Sequence, residues 1–236
     1  MRLQDNLEVE LKLSVTGDDP DAFLDEVARL PMLGDMRLGP PIDHRLHDIY
    51  WDIADGELRD KRLSLRLRSI DELQMFTVKG GSSSADGLFS RYELEVPATA
   101  ENWPEVRAVL VGEGAPLGLD VAGDEPADWL RAAGLYPTQD RVTRRTVRYA
   151  FATGAGKADS QPLAELALDR TRFDFGKALV DYWEIEIEQL DGGEDAPHTL
   201  GRALVARYPG RLEPSSMGKY SRGLTIEREL RLTGQL

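Results

Sequence analysis

Three stretches of this chain place carboxylates at every second residue. Leu7 to Leu13 carries Glu8 and Glu10 followed by Lys12, Arg91 to Val96 carries Glu93 and Glu95, and Trp183 to Glu188 carries Glu184, Glu186 and Glu188. Other stretches do the same with bases: Arg66 and Arg68, Lys79 in step with Thr77, and Arg144 in step with Arg148. In an extended chain, residues two apart share a face and lie about 7 Å from one another. Rows of arginine and lysine bind polyanions, and arginine grips phosphate oxygens with two donors at once. Carboxylates beside them would repel a phosphate chain, but they suit Mg²⁺ or Mn²⁺ bridging to it. A surface that carries both kinds of row has the chemistry of a metal–polyphosphate site.

These rows need strands to hold them. Behind the first acidic row run Leu7, Val9, Leu11 and Leu13, and behind Arg66 and Arg68 run Leu63, Leu65 and Leu67. A sheet with one wet, charged face would account for a single such strand. It does not account for acids and bases segregated strand by strand, with the same polarity on nearly every strand. A sheet closed on itself does, with charges inside and aliphatics covered by outer helices. A polar interior of that kind requires water, ions or a charged ligand to fill it. The expected fold is therefore α+β: a sheet of about eight strands closed on itself, with a charged interior and helices packed outside.

Along the chain, Asp18-Asp19-Pro20 supplies an N-cap and a first-turn proline, and Phe23, Val27 and Leu30 give 20–30 a helical stripe. Gly34 to Pro41 reads as a loop. Strands are expected at 43–53, 63–68, 75–79 and 90–96, with polar turn residues at 82–87. The 100–137 region changes character. Trp103, Val106, Val109 and Leu110 mark one helix and 128–133 another, so it reads as a helical insertion in one domain spanning 1–236. Strands resume at 142–152, 163–169 and 181–190, and an amphipathic helix follows at 198–208. The last stretch reads as a polar tail of mixed charge.

Composition narrows the function. Of 236 residues, 42 are acidic and 29 are Lys or Arg, for a formal charge of −13. That field repels nucleic acid and anionic membranes at long range, so neither is expected as a partner. There is no cysteine, which excludes disulfides and thiolate chemistry. The first residues lack an apolar signal core and no run of about 18 apolar residues occurs, so the expected location is cytoplasmic.

The ordered set of motifs resembles the CYTH superfamily, the triphosphate tunnel metalloenzymes. Glu8-x-Glu10-x-Lys12 resembles its opening E-x-E-x-K. Tyr50-Trp51-Asp52, Leu65-Arg66-Leu67-Arg68, Thr77-Val78-Lys79-Gly80 and Arg91-x-Glu93-x-Glu95 resemble its next four strands. Thr143-Arg144, Glu165 to Asp169, Glu184-Ile185-Glu186 and Lys219 to Gly223 follow in the family order. The resemblance implies an eight-stranded antiparallel closed β-barrel, a tunnel that binds a triphosphate small molecule end-on with one or two divalent ions, Mg²⁺ or Mn²⁺. It implies phosphate contacts from Lys12, Arg66, Arg68, Lys79, Arg91, Arg144 and Lys219. Glu8, Glu10, Asp169, Glu184 and Glu186 become metal ligands or orient water, and Lys12 and Lys79 are the candidate catalytic residues. It also makes a homodimer plausible. Three departures stay open: the serine before Lys219 is displaced, Arg145 adjoins Arg144, and Glu188 could shift the metal pair by two.

His44, His47 and His198 lack paired ligand spacing, and Gly112-Glu113-Gly114 lacks a phosphate-loop context. Trp103 and Trp129 fit a helical core. The expected activity is metal-dependent release of phosphate from a triphosphate, inorganic triphosphate foremost, with thiamine or nucleoside triphosphates behind. A cyclase making cyclic AMP from ATP and a non-catalytic polyphosphate-binding module are the alternatives.

Overall fold

The structure, a computed structural model, describes residues 7–85, 88–118, 123–153, 161–190 and 195–236; for strand residues 7–8, 81–85 and 88–92 it describes the backbone alone. Among the described residues, eleven antiparallel strands join in one sheet: β1 (Leu7–Val15), β2 (Met32–Leu33), β3 (Met36–Leu38), β4 (Ile42–Ile53), β5 (Ser64–Ile70), β6 (Leu73–Ala85), β7 (Leu88–Pro97), β8 (Leu135–Ala152), β9 (Ala164–Asp174), β10 (Leu179–Gln189) and β11 (Leu212–Pro214). The helices are α1 (Pro20–Ala28), α2 (Glu57–Asp60), α3 (Trp103–Gly112), α4 (Pro126–Ala132), α5 (Ala196–Arg207) and α6 (Lys219–Leu232).

The strand count corrects the expectation of eight. β2, β3 and β11 are two or three residues long, too short to show an alternation. The eight long strands pair in the order β8-β4-β5-β6-β7-β1-β10-β9, and β9 pairs in turn with β8. The ladder of pairings thus forms a circuit, in which β5 and β10 stand four strands apart in either direction. Boundaries also differ: β8 begins at Leu135 rather than 142, and β9 runs on to Asp174. β6 continues past Gly80 through an irregularity between Gly80 and Ser83, where a turn was expected. The polar tail is instead the helix α6.

Alternation decides which face is covered. Leu11 and Leu13 of β1, Leu166 and Leu168 of β9, and Ile185 and Ile187 of β10 pack beneath Phe23, Leu24 and Val27 of α1 and Leu200 and Leu204 of α5. Asp19 begins α1 by accepting a hydrogen bond from the Ala22 amide. α5 approaches β1 closely at Gly201, where a Cβ would fall 2.1 Å from a methyl of Leu11. On the other side, Leu65, Leu67, Phe76, Val78 and Leu94 pack with Trp103, Val106 and Leu110 of α3 and Trp129 and Leu130 of α4. The 100–137 helices therefore cover the outward faces of β5 to β7, and both tryptophans lie in the core as expected. With the aliphatics turned outward, the charged rows face one another inside the circuit. No helix among the described residues is long and apolar enough to cross a membrane.

Candidate active site: a charged cavity with two opposed centres

The circuit encloses a cavity of about 740 Å³. Glu10, Lys12, Arg66, Arg68, Lys79, Arg145, Glu186 and Lys219 all line it. Two clusters dominate its walls.

The first is built around one carboxylate. Asp48 on β4 is 1% exposed and faces three guanidinium groups. Arg68 donates to both of its oxygens at 2.7 and 2.9 Å. Arg141 on β8 donates to it at 3.0 Å and to the Tyr50 hydroxyl at 2.9 Å, and Arg66 lies 3.7 Å away. Burial would raise the Asp48 pKa, but Arg68, Arg66 and Arg141 together hold it well below the usual carboxylate value. Burial also opposes the charge on Arg66, and Asp48 together with Tyr50, Glu95 and Glu93 more than offsets it. Arg66 additionally donates to Thr77 and Glu95, and Lys79 pairs with Glu93 at 2.7 Å.

The second cluster has the opposite polarity. Lys219, the first residue of α6, places its ammonium 2.7 Å from Asp169, 2.8 Å from Glu186 and against Glu184. Arg145 adds bonds of 2.8 and 2.6 Å to Asp169 and 2.5 Å to Glu186. Lys12 pairs with Glu10 at 2.7 Å and also with Glu186. Burial would raise Glu186 and Asp169, yet the neighbouring bases hold both carboxyls low, Glu186 furthest. Glu184 is held above its usual value, because burial and the Glu186 charge outweigh Lys219. Lys12 and Lys219 stay protonated despite burial, because carboxylates crowd them.

This second cluster fits a hard divalent cation. Oxygens of Asp169, Glu184 and Glu186 lie within 4.8 Å of one another. All three donors are carboxylates, the ligand type preferred by Mg²⁺ and Mn²⁺. Glu184 Oε1 meets the Lys219 ammonium, while Oε2 is buried with no hydrogen-bond partner among the described residues, as suits an atom that would ligate a cation.

Of the expected site residues, Glu10, Lys12, Arg66, Arg68, Lys79, Asp169, Glu184, Glu186 and Lys219 converge on the cavity or its walls. The side chains of Glu8 and Arg91 lie outside the described residues; their backbones pair across β1 and β7. Arg144 is a correction. It is turned outward, its side chain 72% exposed and 3.6 Å from Asp21 of α1. Arg145 takes the inward place, with Arg141 and Thr143 on the same parity. Arg148, on the outward parity, donates to the carbonyls of Ala28, Gly39 and Leu30, tying α1 and the following segment to β8. Glu188 lines the cavity but falls outside the three-carboxylate set.

Sequence reasoning missed Asp48 and Arg141. Asp48 shares parity with Tyr50 and was detectable on that ground. Arg141 lies one residue before the expected strand start, and only the observed length of β8 brings it in.

A family model described as the CYTH domain matches residues 6–220. Three solved structures share the fold over most of both chains. A candidate adenylyl cyclase from Hippeastrum, HpAC1, described as having a dominant triphosphatase activity, is 18% identical, with a TM-score of 0.62 over 92% of this chain and 95% of its own. A candidate adenylate cyclase from Bacillus halodurans is 17% identical, with a TM-score of 0.50 over 92% and 98%. The PH1819 protein from Pyrococcus horikoshii is 19% identical, with a TM-score of 0.50 over 94% and 99%. At these identities the likeness concerns the fold alone. No curated protein matches by sequence.

Proposed function

The chain belongs to the CYTH domain family, and on that premise we propose that it is a divalent-metal-dependent hydrolase releasing phosphate from a triphosphate. Inorganic triphosphate is the first candidate substrate, ahead of thiamine and nucleoside triphosphates. One observation carries the reading: a cavity with a surplus of guanidinium around Asp48 on one wall and a surplus of carboxylate around Lys219 on the other. Such a cavity suits a polyanion and a cation bound together.

Phosphoryl transfer asks a protein mainly to position the phosphates and neutralise their charge. Arg66, Arg68 and Lys79 would exchange their carboxylate partners for phosphate oxygens, holding the chain in line along the tunnel. Arg141 would keep Asp48 and Tyr50 in place behind them. Asp169, Glu184 and Glu186 would hold Mg²⁺ or Mn²⁺, with Glu10 beside them. That ion would supply charge neutralisation and a polarised water. Lys12, which pairs with Glu10 and Glu186, would orient a water or offset charge on the terminal phosphate.

The test is phosphate release from tripolyphosphate, thiamine triphosphate and ATP, with Mg²⁺ or Mn²⁺. Wild-type protein should turn over at least one of them. Glu10→Ala and Glu186→Gln should each lower that rate by about 10²–10³-fold, the usual loss when one preorganised charge is removed. No turnover of any member of the panel would sink the enzymatic reading. Cyclic AMP from ATP would identify a cyclase instead, and saturable binding without product would identify a binding module.

A further inference from the structure

Two arginines at one end of the cavity are not used by this reading. Arg59 and Arg62 lie in the β4–β5 connection and line the same cavity as the phosphate-gripping residues. Their pairing differs from that of the deeper bases. Lys12, Arg66, Arg68, Arg145 and Lys219 each face at least one carboxylate that is itself largely buried. Among the described residues, the one carboxylate Arg59 pairs with is Asp60, at 3.3 Å and in solvent, beside a 3.4 Å bond to the Asp55 carbonyl, and no carboxylate pairs with Arg62. That end of the cavity therefore carries positive charge with little internal compensation.

The connection that presents them is firmly built. Asp52, 3% exposed, accepts hydrogen bonds from the amides of Ile53, Leu58 and Arg59 at 2.7, 2.8 and 3.2 Å. Leu58 is fully buried in the core beside α3 and α4, and the Leu63 amide donates back to the Leu58 carbonyl at 2.8 Å. Arg62 itself adopts a left-handed φ of 59°. A long side chain in that conformation costs energy that glycine or asparagine would avoid. The position is also suitable. Ser64, at the start of β5, stands opposite Lys79 in register, and Arg62 precedes it by two residues, at most about 7 Å further out.

We propose that Arg59 and Arg62 form a further anion subsite at this end of the tunnel, which engages a phosphate beyond the third. The ligand class is linear inorganic polyphosphate of four or more units. The proposal rests on the tunnel binding phosphate chains, but not on its hydrolysing them. Each arginine offers charge-assisted bonds to phosphate oxygens, and a fourth phosphate adds the charge that meets them.

The test is calorimetric binding of inorganic tripolyphosphate and tetrapolyphosphate in EDTA, where no metal-dependent turnover intervenes. The variant is Arg59→Gln/Arg62→Asn, since asparagine tolerates the left-handed backbone. Wild-type protein should bind the tetrapolyphosphate more tightly. The variant should lose about tenfold in tetrapolyphosphate affinity, as for one or two lost charge-assisted bonds, and under about twofold for tripolyphosphate. Arg172→Gln, an outward arginine paired with Asp181, should change neither. Equal losses for both chain lengths, no loss for either, or no binding of either by wild-type protein would each overturn the subsite. Absence of turnover alongside a retained chain-length difference would remove the hydrolase reading and leave the subsite standing.

Discussion

The two charged centres of the cavity are near inversions of each other. On the β4–β5 wall one carboxylate, Asp48, faces Arg66, Arg68 and Arg141. On the β9–β10 wall one ammonium, Lys219, faces Asp169, Glu184 and Glu186. With their neighbours counted, Arg66, Arg68, Arg141 and Lys79 stand against Asp48, Glu93 and Glu95 on the first wall, and Glu10, Asp169, Glu184 and Glu186 stand against Lys12, Arg145 and Lys219 on the second, so each wall keeps a small surplus. Buried ion pairs contribute little net stability once desolvation is counted, and leaving a buried charge unpaired is costly. The surplus is therefore hard to explain as a device for stability. It is simple to explain if each centre completes its compensation with a ligand, an anion at Asp48 and a cation at Lys219.

That contrast predicts reciprocal rescue. Asp48→Asn leaves three guanidinium groups without their shared anion, and Lys219→Met leaves three carboxylates without their shared cation. Each should lower unfolding free energy by roughly 3–5 kcal/mol, the range for breaking a buried pair. Tripolyphosphate should restore the melting temperature of Asp48→Asn more than that of Lys219→Met. Mg²⁺ or Mn²⁺ should do the opposite. If either ligand rescues both variants equally in thermal melts, the two walls do not divide the work by charge.

A smaller effect is expected where sequence and structure part company. Arg145→Ala removes a guanidinium that bridges Asp169 and Glu186, and should weaken tripolyphosphate binding by about tenfold or more, as for a lost charge-assisted pair. Arg144→Ala, on the outer surface, should leave that affinity unchanged. Parallel titrations of the two variants give the answer, and a larger loss for Arg144→Ala would reverse the assignment.

Strict alternation made most of the site legible. In Glu8 to Leu13, Leu63 to Arg68 and Glu184 to Glu188 one face is polar or charged and the other aliphatic, so parity alone assigns the inside. On β8 both faces carry arginine, and the inward face also carries Val147 and Tyr149. The usual rule, aliphatics outward beneath helices, therefore selects the wrong arginine. Asp48 escaped for a related reason: His47, Asp48 and Ile49 show no clean alternation. α6 escaped because it lacks an apolar stripe, although Glu, Arg and Leu from 227 to 232 are good helix formers. What fixes α6 is tertiary. Tyr220 stacks on Tyr50 at 4.6 Å, and Gly223 lies so close to β8 that a Cβ would come 2.2 Å from the Gln139 amide. Neither contact has a local signature in the chain.

The smallest predicted effect concerns acid. The Asp48 carboxyl is held well below its ordinary value of 3.8, chiefly by Arg68 and Arg66 against the opposing influence of burial. A depressed folded-state pKa contributes stability that is fully present above the unfolded value and is lost as pH falls through the folded one. At neutral pH, Asp48→Asn should therefore show its whole deficit against wild type. Below about pH 3.8 the unfolded wild-type chain takes up the proton first, so wild-type stability falls while that of the variant, at this position, does not. Denaturant midpoints measured from pH 7 to pH 3 should converge as pH drops. A gap that stays constant across that range would mean that Asp48 supports the fold through shape and hydrogen bonding, and that the three arginines do not depend on its charge.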